Sequence, residues 1–186
     1  MEAIKKIEIN KIAKIILVAL LGTALLTISA KIKIPFYPVP MTMQTFIVLF
    51  LGIFLGPKIG LLTVSLYLFE GILGLPVFAG TPEKGIGFVY FMGPTGGYLV
   101  GFLIAVYFAG LFKYDKGVIN TFLKLIFSVS FIYILGLFWL GTLIGWNKPI
   151  FKLGAEPFLL AELFKILLLT FLIPIVLKTK KIIKIT

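Results

Sequence analysis

The chain contains no cysteine, no histidine and no arginine. Without the first two, disulfides, thiolate nucleophiles and imidazole acid–base or metal chemistry are excluded. Without arginine, all eighteen basic residues are lysines, so the formal charge of +11 brings no planar fork for phosphates or base edges. They cluster at the ends of apolar runs, as topology signals do, which argues against nucleic acid as a partner. Charge of any kind is scarce, at 13% of residues against about a quarter in a soluble domain. What remains is 60% hydrophobic with a mean hydropathy of +1.15. That composition predicts an integral membrane protein in a lipid bilayer. Apolar runs recur along nearly the whole length, so residues 1–186 read as one membrane domain with no separate soluble unit. The first run lacks a clean small-x-small cleavage site and is read as a retained helix rather than a secretion signal.

Helix breakers and lysines divide the sequence into six runs, at about 13–30, 43–56, 59–73, 95–112, 121–146 and 157–177. The expected fold is all-α, with six transmembrane helices. Six crossings put both termini on one face, where eleven lysines fall against five on the other, so both termini are expected in the cytoplasm. The second and third runs, at about 1.5 Å per residue, cover only about 21–23 Å of a hydrocarbon core near 30 Å. Their flanks, "KIKIPFYPVPMT" and "GLPVFAGTPEKGIGFVYFMGPTGG", are rich in proline and glycine yet still apolar. Irregular backbone is tolerated at membrane depth only where protein buries it or it lines a cavity, and interrupted spans point to transporter binding sites. Ordered loops entering the outer half of the bilayer as a lid are therefore expected. In the first loop, three prolines keep Ile34 to Pro40 extended until Thr42 caps the next helix. A plainer reading is two short helices with ordinary loops in a thin region.

Small residues repeat at Gly52, Gly56 and Gly60, at Gly97 and Gly101, and at Gly141 and Gly145. Close packing within the chain is the favoured use, and a partner subunit is the alternative. On the first helix, Ala19, Thr23 and Thr27 form a small-residue stripe that suits docking of another membrane protein's helix.

Within "AEPFLLAELFKILLLTFLIP", Glu162 and Lys165 lie three apart and share a helix face with Phe158 and Leu169. Pro157 suits the first helical turn, and Pro174 falls near the end. The pair sits about 8 and 12 Å from the outer start of the helix, in the outer half. A lipid-facing charge at the helix centre costs about 2.5–3.5 kcal/mol or more, so both must face protein or a polar cavity. One reading is a self-satisfied ion pair that orients the helix. The other is a ligand site in which the carboxylate accepts from ligand N–H groups and the ammonium pairs with an anion or carbonyl. Glu70, at the end of the third run, would pair with Lys165, cap a helix end or face the loop; an interfacial, snorkelling role is at least as plausible.

Taken together, "KIKIPFYPVPMTMQT", "FLGIFLGPKIGLLTVSLYLFEGILGLPVFAG", "GPTGGYLVGF" and "FLLAELFKILL" resemble the BioY family, the biotin-specific substrate-binding S components of energy-coupling factor (ECF) transporters. The resemblance covers most of residues 20–180. It implies a six-helix plasma-membrane protein that binds biotin from outside under its loops, needs no cofactor and is not an enzyme. A transmembrane coupling subunit and ATPase subunits are the implied partners. The family's acidic residue and its lysine three positions later match Glu162 and Lys165, with Ala161-Glu162 standing where Gly-Asp is usual. The stripe at Ala19, Thr23 and Thr27 resembles the family's docking surface, with threonines where alanines are more usual. Biotin's ureido ring offers two N–H donors and a carbonyl. Glu162 is therefore expected at the ureido edge, and Lys165 at the ureido carbonyl or the carboxylate. Gln44 and Tyr98 are expected to add polar contacts, and Phe78 or Phe91 an apolar wall.

Two other classes compete. A secondary transporter would use Glu162 for proton coupling. A membrane-embedded enzyme would need serine chemistry at Ser65, Ser128 or Ser130, with no histidine to activate it. No Walker sequence is present, so any ATPase must be another chain.

Overall fold

The computed structural model describes residues 2–37 and 41–183. Pro38, Val39 and Pro40 of the proline-rich loop, and the tail lysine Lys184, lie outside the described residues. Helix α1 spans Glu2–Lys31. It starts well before the first apolar run because nothing in the lysine-rich opening breaks a helix. Strands β1 (Lys33–Ile34) and β2 (Met41–Thr42) pair antiparallel, with Lys33 opposite Thr42 and Ile34 opposite Met41. Thr42 is thus a strand residue and not the expected cap. The N-cap of the next helix is Met43, without a side-chain hydrogen bond.

Helix α2, Gln44–Ile72, is interrupted at Gly56, whose φ of 81° and ψ of 172° belong to a region that a side chain strains. Pro57 then opens the second arm, where its missing N–H is least costly. The break reverses the chain. Gln44 Nε2 donates to Tyr67 Oη at 2.7 Å, although an unbroken helix would hold them about 34 Å apart. Because Pro57 has no N–H, the Ile53 carbonyl loses its helical partner, and Lys180 Nζ supplies one at 3.0 Å. The second and third apolar runs are therefore two arms folded back on each other.

The rest of the chain supplies α3 (Gly87–Phe91), α4 (Gly96–Leu111), α5 (Val118–Ile144), α6 (Ile150–Gly154) and α7 (Glu156–Ile183). The short helices α3 and α6 were not expected from periodicity. Pro157 does fall in the first turn of α7. Pro174, expected near the end, lies inside a helix that continues to Ile183. Four helices among the described residues are long and apolar enough to cross a membrane: Ile12–Lys31, Gln44–Ile72, Val118–Ile144 and Glu156–Lys181. Gly96–Leu111 is a shorter apolar helix.

Helix α2 is the hub, packed between α1 and α4, while α4 also packs on α5, and α7 closes against α2 and α5. The recurrent glycines serve these contacts. A Cβ on Gly60 would lie 3.2 Å from Gly52 Cα, and one on Gly101 would lie 2.6 Å from Ile132 Cα on α5. The core includes Leu26, Val48, Tyr67, Val106, Leu125 and Leu169, each almost wholly buried. Leu21, Phe69, Phe138, Phe171 and Ile175 point outward from several helices, a surface suited to lipid and unsuited to water.

Candidate ligand-binding site

One end of α7 carries Glu162 and Lys165, and both are buried, at 4% and 6% exposure. The i, i+3 spacing brings Lys165 Nζ to 2.9 Å from Glu162 Oε2. Two other helices complete the cluster. Thr45, in the first turn of α2, donates to the same Oε2 at 3.0 Å and accepts from Lys165 Nζ at 2.6 Å. Tyr133 of α5 donates to Oε2 at 3.2 Å. Lys165 Nζ also approaches the Thr42 carbonyl at 3.5 Å, so its three N–H groups all have protein acceptors. Glu162 Oε1 is buried and accepts no hydrogen bond from the protein.

This cluster lines a cavity of about 620 Å³, within the range of small-molecule sites. Thr42 contributes from β2, Thr45 from the start of α2, Tyr98 and Phe102 from α4, Ile132 and Tyr133 from α5, and Phe158, Ala161, Glu162 and Lys165 from α7. Ala79, Gly80 and Lys84 reach it from the loop 73–86, and Lys33 from β1. Three hydrogen-bonding residues pin that loop. Tyr67 donates to the Val77 carbonyl at 3.0 Å, Tyr90 to Ala79 at 2.5 Å, and Lys31 Nζ to the Thr81 carbonyl at 2.6 Å. Burial pushes the Tyr90 phenol above its ordinary pKa, which keeps it a protonated donor.

The expected residues divide accordingly. Glu162, Lys165 and Tyr98 line the cavity, and Tyr98 Oη already donates to the Gly154 carbonyl at 2.8 Å. Gln44, Phe78 and Phe91 are not among the lining residues. Gln44 is turned to Tyr67, while its neighbour Thr45 faces the cavity. Phe78 is buried between Tyr67 and Tyr90, with ring centroids 5.4 and 5.1 Å away, and anchors the loop while Ala79 lines the cavity. Phe91 packs against the core. Thr45, Tyr133, Lys33 and Lys84 had not been expected at the site.

The stripe on α1 turns inward. Ala19 and Thr23 are buried and Thr27 is half-buried, so the first two are not presented to a second protein. Thr23 Oγ1 bonds Glu70 Oε1 at 3.1 Å, and that contact with α1 is what Glu70 does in place of pairing with Lys165. Ser128 and Ser130 donate to carbonyls of their own helix, at Lys124 and Phe127. Neither they nor Ser65 line the cavity.

A sequence model of the BioY family matches residues 3–182. The chain belongs to the BioY family. Among BioY relatives, it is 39% identical over 153 residues to a probable biotin transporter from Pyrococcus horikoshii, covering 82% of this chain and 90% of that one. It is 38% identical over 145 residues to a biotin transporter from Thermotoga maritima, covering 77% and 84%. A crystal structure of the S component for biotin from an ECF-type ABC transporter superposes with a TM-score of 0.73. That match is 26% identical and covers 91% of this chain and 93% of the other.

Proposed function

We propose that this BioY chain is the membrane subunit that captures biotin for an ECF-type uptake transporter. The carrying observation is that Glu162, one of the residues lining the cavity, has a buried carboxylate oxygen, Oε1, without a protein partner. A buried acceptor left unpaired costs about 1–3 kcal/mol, and a ligand N–H relieves that cost. On this reading biotin's ureido N–H meets Oε1. Lys165 holds the other oxygen, Oε2, at 2.9 Å, and the ureido carbonyl replaces the lysine's weakest contact, the one to the Thr42 carbonyl. Aromatic and aliphatic residues of α4, α5 and α7 then hold the sulfur ring.

The wider assignment follows the same line. The arms of α2, α1, α4, α5 and α7 make six crossings, with both termini in the cytoplasm and the loop 73–86 over an outward-facing cavity. Energy comes from a coupling subunit and ATPases on other chains, since this chain has no nucleotide-binding loop of its own. Equilibrium titration of the purified protein with biotin tests the reading. Tight binding that Glu162→Gln weakens by about 10–100-fold is expected, because a charged hydrogen bond is worth about 1.5–3 kcal/mol. No binding by the wild type, or unchanged affinity in the variant, would contradict it.

A further inference from the structure

Lys33 and Lys84 line the same cavity, yet neither joins the Glu162 cluster. Lys33 projects from β1, and the stem of Lys84 lies over Gly80 in the loop 73–86. Both lysines are exposed, and neither forms an ion pair among the described residues, even with the adjacent Glu83. The cavity therefore has two unlike polar regions. Its buried wall offers an unpartnered carboxylate oxygen, and its solvent-exposed edge offers two ammonium groups. Lys165 cannot serve as an unengaged cation between them, because Glu162, Thr45 and the Thr42 carbonyl take its three donors.

Resting on the biotin reading above, we infer that Lys33 and Lys84 form an anion subsite that receives the ligand's carboxylate and selects the free acid over neutral carboxyl derivatives. A ligand with N–H donors at one end and a carboxylate at the other satisfies both regions at once. Because the subsite is exposed, its attraction is screened by salt and also speeds capture of an anion.

Calorimetric titration of the purified full chain with biotin and with biotinamide, whose carboxylate is replaced by a neutral carboxamide, tests the inference. The wild type should prefer biotin by about tenfold, the low end expected for a charged hydrogen bond at a wet site. Lys33→Gln combined with Lys84→Gln should bind the two ligands equally, with biotinamide affinity unchanged. The paired arginine substitutions should keep the preference. A glutamine double variant that retains the preference overturns the inference, as does a parallel loss of both ligands or a wild type with no preference. Binding of neither ligand by the wild type would defeat the biotin reading itself and this inference with it.

Discussion

The two oxygens of Glu162 are treated differently by the protein. Oε2 is held by Lys165, Thr45 and Tyr133, while Oε1 is left without a partner. Removing only the cation, in Lys165→Met, strands a buried carboxylate and should lower stability by about 3–5 kcal/mol. Adding Glu162→Gln should recover most of that loss while leaving biotin binding impaired. Thermal unfolding in detergent, read beside a binding titration, separates the two effects. The pair itself was legible from its i, i+3 spacing in an apolar run. Its neighbours were not, because Thr45 and Tyr133 come from other helices and nothing local marks them. Gln44 and Phe78 were each misplaced by one residue, since adjacent side chains leave the backbone in different directions and periodicity in a loop is weak.

At the scale of elements, the reversal at Gly56 and Pro57 turns one apolar stretch into two short arms, whose ends away from the break bring Thr45 to the cavity and lead into the loop 73–86. The Gly-Pro pair made this break readable in advance. The partner of the freed Ile53 carbonyl was unreadable, because Lys180 is 127 positions away. Lys180→Met should destabilise the fold by about 1–3 kcal/mol through that orphaned carbonyl, and Gly56→Ala by a similar amount through backbone strain. Neither substitution touches the cavity, so both should shift thermal unfolding without changing intrinsic biotin affinity. The inward turn of Ala19 and Thr23 has an equally tertiary cause. A small-residue stripe permits close packing on either side of a helix, and the second arm of α2 with Glu70 takes it here.

For the whole molecule, the apolar runs made the all-helical membrane character legible, and the helix breakers between them marked where α2 turns back on itself. The short helices α3 and α6 were missed because five residues carry too little pattern. The absence of cysteine makes the proposed orientation easy to check. Single cysteines at Lys84 and Lys116 should be labelled by a membrane-impermeant maleimide in intact cells only at Lys84, with Lys116 reacting after permeabilisation. The opposite pattern would invert the topology. Uptake should likewise fail without a coupling module, measured as biotin accumulation in cells lacking the ATPase subunits. The central claim, that Glu162 Oε1 receives the ureido edge, is tested most directly by a cycle pairing biotin and its N-methylated ureido analogue with wild type and Glu162→Gln. The account predicts that methylation weakens wild-type binding at least about tenfold and weakens the variant far less. An equal penalty in both proteins would contradict it.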